Sequence, residues 1–194
     1  MAYAGQTIEN PVSGETIRFE QTAADTDGEL LAFEVELTPE GHVPGMHVHP
    51  EQEERFELLE GTMKFRKGFK TVVAEAGDVL TVPAGTAHKF ANAGDEPAVA
   101  RVEVRPALQM ERLFETAVAL AVEGRTTKKG MPKPLELALF TREFKREVQG
   151  AFPPAFIQHA SMAPLRWIAD RRGRGERYEG ATAFAGAVSA AAAV

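Results

Sequence analysis

Hydrophobic and polar positions alternate with a strand-like period along the first half of the chain and with a helical period along the second. From Thr16 to Arg105 the runs TIRF, LLAFEVEL, RFELLEG, TMKF, TVVAEAGD, VLTVP, HKFAN and AVARVEV are short and rich in Val, Leu, Phe or Thr. Pro, Gly, Asn and Asp interrupt them every 8 to 12 residues, a spacing that predicts an all-β sandwich or barrel. After Pro106 the period changes. ALQMERLFETAVALAVEG predicts a helix with Met110, Leu113, Phe114, Ala117, Val118 and Ala121 on one stripe and Gly124 just past its end. PLELALFTREFKREVQG predicts a second helix with Leu137, Phe140, Phe144 and Val148 on one face, stopping at Gly150. RTTKKGMPKP between them reads as a loop. A third segment, PPAFIQHASMAPLRWIAD, opens on proline and carries Pro164, where a kink or break is expected.

Three regions follow. Residues 1–106 form a β domain, 107–173 an extension of two to three helices, and 174–194 a tail that is basic, then alanine-rich. The last run, ATAFAGAVSAAAAV, has little to anchor it, so disorder is expected there.

The chain has 194 residues and no cysteine, which rules out disulfides and thiolate metal ligands and makes the cytoplasm the expected compartment. No apolar run is long enough to span a bilayer, and MAYAGQTIENPVSGETIRF lacks the marks of a secretory signal. Net charge is −6 but uneven: residues 1–106 carry 9 Lys/Arg and 19 Asp/Glu, residues 107–194 carry 13 and 9. The basic excess peaks at DRRGRGER, Asp170 to Arg177, without interleaved aromatics. That favours a solvated surface facing the acidic half over a nucleic-acid patch, so neither nucleic acid nor membrane is an expected partner.

Candidate chemistry concentrates in HVHPEQEERFELLEG, His47 to Gly61, with two histidines one residue apart and five glutamates. Its spacing is Gly41, five residues, His47, one, His49, four, Glu54, six, Gly61. A second block runs Gly77, five residues, Pro83, one, Gly85, two, His88, three, Asn92. These ten positions resemble the two signature motifs of the cupin superfamily, and the segment between them, Thr62 to Ala76, is as short as in compact bacterial members. The resemblance covers about residues 28–106. It implies a mainly β fold, an antiparallel jelly-roll barrel of six to eight strands, here with a C-terminal α-helical extension. It also implies one divalent transition metal held by His47, His49, Glu54 and His88, and a homodimer, in which an N-terminal strand could add to a partner's sheet.

Strand parity selects the same glutamate. If Glu54 points inward, Phe56 and Leu58 follow it while Arg55 and Glu57 face out. If Glu53 pointed inward, Arg55 and Glu57 would be buried without partners, at several kcal/mol each. Parity from His88 sends Phe90 and Asn92 inward and Lys89 outward. Phe56, Leu58, Phe90 and Asn92 are therefore the pocket-lining candidates. On the last strand Arg101, Glu103 and Arg105 are expected outside, with Val102 and Val104 inside. Gly61 and Gly77 fall at strand turns that call for positive φ, and PAGTAH, Pro83 to His88, is the turn that delivers His88. His42 and His159 lack partners at ligand spacing and read as surface or packing residues.

Three imidazoles and a carboxylate, with no sulfur, suit Fe, Mn, Ni, Co or Zn as the divalent ion. The bland alternative is three barrel histidines satisfied without metal. With metal, the site could serve a dioxygenase-like reaction, or a Lewis-acid isomerase or decarboxylase, on a small organic and by its apolar lining aromatic substrate. Glu54 is a catalytic candidate only if it leaves the metal, and no further cofactor is expected. The competing reading is a non-catalytic module that binds or senses a small molecule.

Overall fold

The alternating first half forms β1 (Thr7–Asn10), β2 (Glu15–Gln21), β3 (Leu31–Leu37), β4 (His47–Val48) and β5 (Glu53–Glu60). It continues through β6 (Thr62–Lys67), β7 (Lys70–Glu75), β8 (Val79–Val82), β9 (His88–Asn92) and β10 (Ala98–Arg105). The second half carries α1 (Met110–Val122), α2 (Pro134–Glu143), a short β11 (Gln149–Gly150) and α3 (Ala155–Arg171), then one 3-10 turn at Gly175–Tyr178. The computed structural model describes residues 2–178, and the disorder expected of the alanine-rich run lies outside the described residues.

Two antiparallel sheets build a mainly β, jelly-roll architecture with the helices appended. One sheet has the order β1-β2-β3-β10-β5-β8, the other β11-β4-β9-β6-β7. The pleat sorts each strand as parity requires. On β5, Glu54, Phe56 and Leu58 are buried, while Glu53, Arg55 and Glu57 are not. On β10, Val102 and Val104 are fully buried, and Arg101 pairs outside with Glu20 at 2.8 Å and Glu103 at 2.6 Å. Phe56, Phe65 and Phe90 pack together between the sheets, with centroids 5.1 to 5.5 Å apart. Gly61 turns β5 into β6 at φ +72, and a Cβ there would sit 2.7 Å from the Pro97 carbonyl oxygen, so only glycine fits.

The change of period near Pro106 marks a change of element type, with no break in packing. Met110, Leu113, Val118 and Leu120 of α1 share one buried apolar cluster with Phe33, Val35 and Val104. Phe114 meets Phe33 edge-on at 5.1 Å.

Two helix expectations are corrected. α2 does not run to Gly150; it ends at Glu143, and Gln149 and Gly150 pair instead with Val48 and His47 as an added strand. A sheet edge offering unpaired backbone groups outcompetes the helical continuation. α3 is not broken at Pro164 but passes through it to Arg171. Ala160 and Pro164 both face solvent, so water can take the carbonyl that proline leaves without a donor. Among the described residues no helix is long and apolar enough to cross a membrane.

Candidate metal centre

Strand pairing brings the motif residues together. His47 on β4 lies directly across from His88 on β9. Glu54 on β5, in the facing sheet, stands between Val104 and Val82 on its neighbours. The turn from Pro83 closes with Thr86 N–H donating to the Pro83 carbonyl at 3.1 Å, and Gly85 N–H donates to the His49 carbonyl at 2.8 Å. One potential ligand atom from each of His47, His49, Glu54 and His88 lies within 4.8 Å of all the others. His49, Glu54 and His88 are buried, while His47 is half-buried.

Each imidazole is fixed through its Nδ1. His47 Nδ1–H donates to the Gly45 carbonyl at 3.3 Å, His49 Nδ1–H to the Glu147 carbonyl at 2.5 Å, and His88 Nδ1–H to the Thr86 carbonyl at 3.0 Å. Those bonds set the tautomer and leave every Nε2 with a lone pair for the cluster. Nε2 of His88 lies 2.7 Å from Glu54 Oε2, and Nε2 of His49 lies 3.4 Å from Glu54 Oε1. Even so, His49 Nε2, His88 Nε2 and Glu54 Oε2 are buried without an aligned hydrogen bond among the described residues. Donor atoms crowded together yet misaligned with one another are what a shared central cation would satisfy. The residues therefore fit a metal.

The electrostatics agree. Burial pushes His47 down to about 3, helped by the neighbouring His49 and His88, so it is neutral and ready to ligate. Burial alone would raise Glu54, but His49 and His88 outweigh it and hold the carboxylate well below its usual range. Burial alone would lower His49, but the Glu54 carboxylate overrides it and raises the imidazole.

Beside the cluster opens a cavity of about 440 Å³ whose walls are mostly apolar. His47, His49 and Glu54 border it, as do Phe56 and Phe90. The other two pocket candidates lie elsewhere. Leu58 is buried in the core, outside the cavity wall. Asn92 spends its amide on the carbonyls of Leu37, Thr38 and Glu96 at 2.8 to 3.0 Å, tying a loop. Parity could not say how deep along the strand the cavity reaches.

The far wall comes from the extension, through Met110 and Phe114 of α1, Phe140 of α2, and Met162, His159 and Arg166 of α3. His159 thus borders the cavity instead of the outer surface. Seven residues separate it from Arg166, two helical turns, so both share one face. That spacing was the available signal, but nothing in it said which way the face would turn. Glu147, whose carbonyl orients His49, carries no sequence signal, because a backbone atom does the work. Two residues of the basic run make structural ion pairs, Arg174 with buried Glu136 at 2.7 Å and Asp170 with Arg142 at 2.9 Å, while Arg171 and Arg172 are exposed.

Residues 33–104 match the family model of the cupin domain. With both motifs and the jelly-roll sheets in place, residues 33–104 are a cupin domain. No curated protein matches it. Similar solved structures include a predicted oxalate decarboxylase from Thermotoga maritima, 23% identical over 52% of this chain and 90% of that one, with a TM-score of 0.47. An RmlC-like cupin from Shewanella frigidimarina is 19% identical over 57% of this chain and 94% of that one, at 0.47. A sugar phosphate isomerase of the cupin superfamily from Silicibacter pomeroyi is 24% identical over 48% and 60%, at 0.42.

Proposed function

We propose that this cupin is a mononuclear metal enzyme acting on a small, largely apolar organic substrate. His47, His49, Glu54 and His88 hold one divalent ion from the series Fe, Mn, Ni, Co and Zn, and the adjoining cavity holds the substrate. The observation that supports it most directly is the set of three imidazoles, each tied through Nδ1 to a backbone carbonyl, whose Nε2 atoms are left for one point beside Glu54. That cluster borders a cavity of about 440 Å³, large enough for a small organic molecule.

When bound, such an ion supplies Lewis acidity and, for iron or manganese, access to oxygen chemistry. The chain supplies the rest. Phe33, Phe56, Phe90 and Phe114 exclude water and favour a ring or an alkyl body. Glu15, at the cavity wall, is raised by burial to about 7 despite the opposing Ser13 hydroxyl, so at neutral pH it can give or take a proton. A cytoplasmic homodimer completes the reading.

Elemental analysis of the protein purified without added metal tests it. About one equivalent of a first-row ion is expected, lost in His88→Ala and Glu54→Ala. No metal, even after supplementation, overturns the reading. Oxygen uptake and substrate loss against catechols, diketones and flavonoids then test turnover. Metal without turnover by any loaded form would identify a small-molecule binding module instead.

A further inference from the structure

Among the described residues Arg166 is the one guanidinium on the cavity wall, and that wall is mostly apolar. Its Nε–H donates to the Ala138 carbonyl at 3.1 Å and Nη2 to His159 Nδ1 at 3.0 Å. Nη1 has no partner among the described residues, and no carboxylate there forms an ion pair with Arg166. Arg112, Arg125, Arg142, Arg146 and Arg174 are each paired with an acid, and Arg171 and Arg172, which form no ion pair among the described residues, are exposed on the surface and outside the cavity wall. Two carboxylates border the cavity, and both are engaged elsewhere. Glu54 meets His49 and His88, and Glu15 accepts from Ser13 Oγ at 2.5 Å. Burial, and then the charge of Arg142, pull the Arg166 guanidinium below its ordinary range, yet a guanidinium stays charged in any protein.

Arg166 is half-buried, so its guanidinium faces both the apolar wall and solvent with no protein acid beside it, and an anionic ligand in the cavity would supply the missing counter-charge. His159 adds to the same end of the site. Because Arg166 donates to its Nδ1, the neutral imidazole carries its proton on Nε2 and is a second N–H donor bordering the cavity.

We propose that Arg166, assisted by His159, is the anion-recognition site of this cavity, and that the ligand is an organic acid with an apolar body and a carboxylate bound by α3. This deepens the metal-enzyme reading by naming its substrate class. The binding event itself does not require the metal, so the two fail separately.

Trp167 is the sole tryptophan of the chain and follows Arg166 directly, so its fluorescence reports on the site. Metal-free protein would be titrated with hexanoate, benzoate and phenylacetate, and with the neutral amide of each. At least one acid is expected to bind saturably and at least about tenfold more tightly than its amide, the usual worth of a charge-assisted pair. Arg166→Gln should remove that preference while leaving amide binding unchanged, and Arg166→Lys should restore part of it. A melting curve of each variant confirms that it is folded, and Arg66→Gln, at an exposed position of β6 outside the cavity wall, should change nothing. Equal binding of acid and amide overturns the proposal, as does an acid preference that survives Arg166→Gln, or no saturable binding of any acid. Acid binding that appears only with metal loaded and is indifferent to Arg166 would place the carboxylate on the ion. That outcome sinks this proposal and leaves the metal reading intact.

Discussion

Glu54 shows what a single position can reveal in advance. Its neighbours Glu51, Glu53, Glu57 and Glu60 are chemically identical, yet alternation alone separates it from Glu53 and Glu57, because only its register buries Phe56 and Leu58 as well. Glu51 proves to be a surface residue, held by Arg146 at 2.6 Å. Glu15 was not legible in this way. Its neighbours on β2 mark a strand, but its burial depends on the cavity wall, much of which lies far along the chain. The raised pKa has a definite sign in stability. Folding holds the proton on Glu15 up to about 7, whereas an unfolded glutamate releases it near 4.5. Stability from this group is therefore full below the unfolded value and lost as pH rises through the folded one, by at most about 1.4 kcal/mol per pH unit. Glu15→Gln cannot titrate, so the wild type should weaken relative to it between those two values. Urea melts of both proteins across that range check this, and parallel curves would contradict it.

At the scale of elements, the β half was readable and the helical half only partly so. Strand runs announce themselves by alternation and turn residues, which are local. The end of α2 is decided by a distant partner: the edge of β4 captures Gln149 and Gly150, and no periodicity in that segment records the edge. β4 has only two residues, and it lies between β9 and β11. The extension therefore braces the strand that carries His47 and, through the Glu147 carbonyl, the ring of His49. Gln149→Pro removes a backbone donor from this brace while leaving all four ligands in place. Metal affinity should fall about tenfold or more, the usual cost of disturbing groups that orient a ligand. Competition with a chromophoric chelator measures it, and an unchanged affinity would show β11 to be decorative.

For the whole molecule, the sequence suggested a β domain with something attached at about residue 106, whereas packing does not respect that line. Met110, Leu113, Val118 and Leu120 cover apolar strand residues, and each such side chain is worth about 1.5–3 kcal/mol when buried. Expressed alone, residues 1–106 should consequently lose near-ultraviolet circular dichroism and bind a hydrophobic dye, although both motifs are complete. A cooperative melt of that fragment would refute this. The uneven charge also finds its use here, since Arg146 of the basic half reaches Glu51 of the acidic half. The cavity is likewise a property of the whole, because ligand-bearing strands form one wall and α1, α2 and α3 the other. Short motifs could locate the first wall and said nothing about the second.

The carbonyl of Glu147 lies 98 residues beyond the imidazole it holds. During synthesis, every side chain of the cluster leaves the ribosome long before that oxygen exists. A nascent chain can present its histidines but cannot yet aim them, so the centre matures last, once residue 150 has emerged and β11 has closed on β4. A chain stalled or clipped before this point would carry the motifs without a finished site.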